Sequence, residues 1–166
     1  MPIDFDVRSN MGDVLKDLDD AQGRTDDLRP VFRLFDRRVS MFARRQFETS
    51  GAVGGTPWEE LDESTKKARQ RHRGGNRGGV SRPLWDFGKL KTSLQEVGPE
   101  SVREVGRQRY VRGTTVFYAR FHQEGEGVPQ RQVFLDPWPM QLRLSVNALM
   151  KRHFEGQLPS ALPGTV

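Results

Sequence analysis

The chain has 166 residues, room for one domain with a modest core. Hydrophobic residues make up 34% and charged residues 30%. That apolar share is lower than a compact domain usually carries, so part of the surface is expected to complete its burial only on assembly. The absence of cysteine excludes disulfides and thiolate metal sites. His72, His122 and His153 lack ligand spacing, and neither metal nor cofactor is expected. No apolar run is long enough to cross a membrane. The opening MPIDFDVRSN lacks the basic and apolar stretches of a secretory signal, which points to a reducing, soluble compartment. The net charge of +5 permits contact with nucleic acid or an acidic partner without requiring it.

Residues 3–7, Ile-Asp-Phe-Asp-Val, alternate apolar and acidic, the pattern of a half-buried strand. Ser9 or Asn10 is placed to cap a short helix carrying Val14, Leu15 and Leu18. Over 27–49, Leu28, Val31, Phe32, Phe35, Val39, Phe42, Ala43 and Phe47 recur at three- and four-residue steps. They predict a long amphipathic helix, capped by Asp26 or Thr25 and ended by Gly51. Arg33, Arg37, Arg38, Arg44 and Arg45 fall on its opposite face, which reads first as solvated charge. Residues 51–58 form a loop closing on Trp58, with a helical turn able to start at Thr56 or Pro57. Residues 61–70 read as a short helix with Leu61 and Ala68 inward.

Residues 69–82 carry Arg69, Arg71, Arg73, Arg77 and Arg82 among glycines and no acid. Nothing there buries a core, so the stretch is expected to be an exposed basic loop. Leu84 to Gly88 turn the chain into Leu90 and Leu94. Residues 101–106, 109–121 and 130–135 read as strands of a small antiparallel sheet, most clearly at Val116-Phe117-Tyr118-Ala119. Residues 140–154 return to helical spacing, and 155–166 read as an extended C-terminal arm. The fold class is therefore α+β: an N-terminal strand and long helix, a small antiparallel sheet and a C-terminal helix, forming one domain over 1–154.

Signals for catalysis are poor. His122-Gln123-Glu124 has the His-x-Glu spacing of zinc deaminases, but their paired cysteines are missing. There is no nucleophile elbow and no phosphate-binding loop. No enzymatic activity is expected. The arginine–glycine stretch suits non-specific phosphate contact, with a soluble or protein-docking loop as the bland alternative.

Several stretches occur in an order that carries a resemblance. They are Gln46-Phe47-Glu48, Gly55-Thr56-Pro57-Trp58-Glu59-Glu60-Leu61, Ser64-Thr65-Lys66-Lys67 and Leu84 to Ser93. Tyr118-Ala119-Arg120-Phe121-His122-Gln123-Glu124-Gly125 and Pro129-Gln130-Arg131-Gln132-Val133-Phe134-Leu135 follow. Together they resemble the phage Mu G-type virion morphogenesis family, also described as tail completion proteins. Phe87 stands where that pattern has Thr, and one extra residue separates Arg131 from Phe134. The resemblance implies a structural subunit of the tailed-phage head–tail junction, a tail-terminator-like ring, often hexameric. Its implied partners are other copies of itself, the tail tube protein and the head connector or stopper, with possible non-specific contact to packaged DNA. It implies assembly in the host cytoplasm and residence in the virion. Arg69, Arg71, Arg73, Arg77 and Arg82 are the candidate contacts to the DNA channel or a neighbouring protein. The alternatives are a neck or head-closure ring, a small nucleic-acid-binding module, or a small hydrolase using His122 and Glu124.

Overall fold

The computed structural model describes residues 11–73, 82–85, 87–135 and 137–158. In chain order it has α1 (Met11–Asp26), α2 (Arg29–Glu48), a single 3₁₀ turn (Ala52–Gly54), α3 (Glu63–Arg73) and α4 (Lys89–Gln95). The strands β1 (Ser101–Val105) and β2 (Tyr110–Thr114) follow, then α5 (Ala119–Glu124) and α6 (Met140–Phe154). The chain is α+β, as its patterning indicates. The expected strand over 3–7, the cap at Ser9 or Asn10 and the arm beyond residue 158 lie outside the described residues.

The long helix α2 is the axis of the molecule. Val31, Phe35, Val39, Phe42, Ala43 and Phe47 are buried along one stripe, because residues three and four apart share a helical face. Two apolar clusters hang on that stripe. Ala43 and Phe47 pack with Trp58, Leu84, Leu90, Leu94, Val116 and Val133. Val31, Phe35, Val39 and Phe42 pack with Leu142 and Leu149 of α6. Phe134 touches both clusters and joins them. The helix starts without the expected cap from Asp26 or Thr25. Thr25 Oγ1 instead donates back to the Gln22 carbonyl. Asp27 accepts from the Arg29 backbone N–H at 3.0 Å and from its guanidinium at 2.6 and 2.8 Å. At the other end Ser50 and Gly51 both take positive φ, 49° and 89°. A Cβ on Gly51 would lie 2.5 Å from Trp58 Cδ1, so only glycine lets the loop close on Trp58.

α1 forms where a helix is expected but runs longer, and its leucines do not enter the core: Leu15 is 56% exposed and Leu18 60%. No helical turn starts at Thr56 or Pro57. The chain stays irregular to residue 62, Leu61 is buried just before α3, and Ala68 is exposed. α3 has too few apolar residues to build an inward stripe. It rests on Thr65, Lys66 and Arg69, which are half-buried.

The hairpin pairs Ser101 with Thr114 through Val105 with Tyr110. It is fixed to α2 by a buried ion cluster. Asp36 takes Arg112 at 2.9 Å, Arg103 at 2.7 Å and the Tyr110 hydroxyl at 2.9 Å. Burial, with the Asp36 charge beside it, pushes the Tyr110 phenol well above its usual range.

Of the three expected strands, 109–121 is cut short to β2 and 130–135 is absent. Residues 116–119 form a turn into α5, with the Ala119 N–H donating to the Val116 carbonyl. Val116 is buried but Phe117 is 79% exposed. The Ala-Arg-Phe-His-Gln-Glu run, ended by Gly125 at φ 78°, has a helix's composition and stop. Residues 130–135 form no ladder with another strand. Side-chain amides and one indole take their backbone groups instead, as described below.

Candidate functional site

The expected basic loop begins as helix, and its residues 74–81 lie outside the described residues. Arg-Gln-Arg-His-Arg contains no helix breaker, so α3 continues through Arg73 and the first glycine follows it. Arg69 is half-buried, and its Nη1 donates to the Arg82 carbonyl at 3.1 Å, joining α3 to the far side of the glycine-rich stretch. Arg71 is exposed, one turn beyond exposed Lys67. Arg73 belongs to α3 by its backbone, and Arg77 lies outside the described residues. The Arg82 guanidinium sits 5.1 Å from the Trp85 ring centroid, and Lys91 Nζ lies 3.8 Å from the same ring. Trp85 thus collects two cations through its π face while its Nε1 donates to the Phe47 carbonyl at 3.2 Å. The structure brings Arg69 and Arg82 together. It leaves Arg71 as the free cation of the group whose side chain is described.

Beneath α3 lies a cleft of about 510 Å³. Its walls include Glu59, Glu60, Asp62, Arg69, Tyr118, His122 and Arg131. A second cleft of about 500 Å³ is lined by Leu90, Leu94, Gln123, Val133, Phe134 and Trp138 among others. His122 and Arg131 line both.

Arg131 belongs to a strap, residues 130–135, held by side chains distant in sequence. Gln123 accepts from the Val133 N–H at 3.2 Å and donates to the Phe134 carbonyl. The Gln132 carbonyl takes both Gln46 Nε2 at 3.1 Å and Trp58 Nε1 at 3.0 Å. The Arg131 N–H donates to the His122 carbonyl at 2.7 Å. The Arg131 guanidinium, 5% exposed as a residue, donates to the Glu59 carbonyl at 3.1 Å and reaches that of Glu60 at 3.4 Å. Burial lowers the Arg131 pKa, but a guanidinium remains cationic in a protein.

His122 faces the clefts from α5. Desolvation, with Arg131 and Arg69 nearby, holds its imidazole below the usual range despite a backbone bond at Pro129. Glu124 is exposed and lies about 200° from His122 around the helix, so the two do not converge as a dyad. Among the described residues no cluster of three or more potential metal ligands occurs, and no helix is long and apolar enough to cross a membrane.

Four of the six stretches quoted above for the resemblance meet in this one knot: Gln46, Trp58, Gln123 and Arg131 all bind the strap or are part of it. Residues 9–143 match the sequence model of the phage virion morphogenesis family. The chain belongs to that family. Neither a curated protein nor a solved structure matches it. As a member of the phage virion morphogenesis family, it has a role in building the phage particle. In this member these four residues hold or form the strap whose Arg131 lines both clefts.

Proposed function

We propose that this chain is a ring-forming subunit of the head–tail junction, a tail terminator or tail completion protein, with no catalytic activity. The family match over 9–143 carries the reading. Copies close into a ring, hexameric by family resemblance, with the tail tube on one side and the head connector on the other. Arg71, Arg73, Arg77 and Arg82 are the candidate contacts to the DNA path or a neighbouring protein, where cations neutralise phosphates without reading sequence. Arg69 serves the fold. The family resemblance favours the terminator reading over a neck ring or a free nucleic-acid module. The exposed Leu15, Leu18, Met41, Met140 and Leu144 fit a subunit that assembles with other molecules, terminator and neck ring alike.

The test is electron microscopy of lysates from a phage lacking this gene. Filled heads beside separate tails are the expected result. Tails of irregular length identify a terminator, and tails of normal length a neck protein. Intact infectious virions overturn the reading.

A further inference from the structure

Met41 lies at the centre of the outer face of α2, with Arg37 and Arg38 one turn before it and Arg44 and Arg45 one turn after. It is 57% exposed. It opens onto a groove between α2 and α6 of about 180 Å³, whose floor includes Phe42, Val53 and Leu142 and whose rim carries Arg38 and Arg45. Met140 (73% exposed) and Leu144 (56%) extend the apolar surface along α6. Among the described residues none of these four arginines is paired with a carboxylate, although Arg38 donates to Ser145 Oγ of α6.

The opposite surface is on α1. Leu15, Leu18, Asp19, Gln22 and Asp26 are all exposed and, at steps of three and four, share one face. Asp19 and Asp26 likewise have no cation partner among the described residues. One chain therefore holds an apolar helix face edged with acid that has no cation partner and an apolar groove rimmed with arginine that has no carboxylate partner. The two are apart. α1 meets α6 at its 153 end, where His153 Nε2 lies 2.8 Å from the Arg24 carbonyl and 2.9 Å from that of Asp27. The groove lies at the 141–145 end.

We propose that α1 of one copy docks by its Leu15–Leu18 face into the α2–α6 groove of the next, with Asp19 and Asp26 meeting Arg38 and Arg45. The proposal rests on the ring reading and deepens it by naming the contact between neighbours. Two different patches meet, so the contact is heterologous, the kind that propagates head to tail and closes into a ring. An apolar floor with exposed methionine fits a helix better than a phosphate backbone, which asks only for cations.

Sedimentation velocity on the full chain tests it. Wild type is expected to sediment as an oligomer that weakens as salt rises. Arg38→Glu/Arg45→Glu is expected to sediment as a monomer, and so is Asp19→Lys/Asp26→Lys. Mixing the two restores oligomers, because each variant's reversed patch then meets its complement on the other. Leu15→Ser/Leu18→Ser, which alters exposed side chains alone, weakens association at least tenfold with an unchanged melting curve. Wild-type oligomers that survive both reversals overturn the interface while leaving the ring intact. A wild type that stays monomeric at all concentrations overturns self-docking through this groove, whereas the ring reading itself is judged on the mutant lysate. Reversal of Arg38 and Arg45 that abolishes DNA retention and leaves the oligomer unchanged assigns the face to phosphate and overturns the proposal. So does occupation of the groove by the chain's own terminal residues, seen as oligomers that form only after their removal.

Discussion

Replacing Asp36 with alanine removes the carboxylate that anchors the hairpin to α2 and leaves the Arg112 guanidinium without its counter-charge. The Arg112 side chain is 1% exposed and that of Asp36 8%, so water screens this pair little. Breaking a buried pair from one side costs about 3–5 kcal/mol, because the remaining charge stays desolvated. Arg103, whose side chain is 29% exposed, adds little, since water takes over much of its solvation. Against a total stability of roughly 5–15 kcal/mol the loss is large. At about 2–4 °C per kcal/mol for a chain of this size it lowers the melting temperature by roughly 6–20 °C. Urea unfolding followed by circular dichroism measures it. The double variant Asp36→Ala/Arg112→Met is expected to recover most of the loss, because apolar replacement of a buried pair is often neutral. A single variant within about 0.5 kcal/mol of wild type, or a double variant less stable than the single one, refutes the reasoning.

Gly51→Ala forces a Cβ to 2.5 Å from Trp58 Cδ1 and 2.7 Å from the Thr56 carbonyl at φ 89°. It is expected to cost at least about 2 kcal/mol in urea unfolding and to shift Trp58 fluorescence. Gln123→Ala unpins the Val133 N–H and the Phe134 carbonyl. It is expected to cost about 1–3 kcal/mol and to raise amide hydrogen exchange at Val133 before the rest of the fold. The His122 imidazole is expected to titrate below its ordinary 6.5 by proton NMR, and Arg69→Gln to raise the midpoint by removing one repelling cation. With the folded pKa depressed, the unfolded chain takes the proton first. Stability therefore falls as pH drops below about 6.5, and His122→Gln flattens that limb. A midpoint above 6.5 contradicts the burial seen here.

The elements that burial dictates were legible. The α2 stripe and the α6 spacing are apolar patterns with one periodicity, and each forms where its period requires. A breaker worked where it acts on a single conformation, as Gly51 does. Composition misled where it stood in for a mechanism. Arg69 to Arg73 looked like loop because the stretch is charged, yet arginine and glutamine are good helix formers and only the glycines stop them. Residues 116–119 looked like strand because Val, Phe and Tyr favour sheets. That preference reflects packing against a neighbouring strand, and none is paired with them here.

The site was harder to read because its bonds run from side chain to backbone across long sequence separations, which no local period records. Gln123 and the Phe134 carbonyl are close in sequence, but Gln46 reaches Gln132 across most of the chain. Two signals were present all the same. Asp36 and Gln46 fall on the apolar stripe of α2 rather than on its charged face, at positions where a folded helix must bury them. A polar group forced into a core needs a partner, since leaving it unsatisfied costs about 1–3 kcal/mol. Each was therefore a marker that some distant segment comes to meet it. Asp36 meets the hairpin and Gln46 meets the strap and the 3₁₀ turn. The arginines around Met41 carry the opposite message. They lie off the stripe, meet no carboxylate among the described residues, Arg38 donating only to Ser145 Oγ of α6, and surround the exposed Met41 with positive charge.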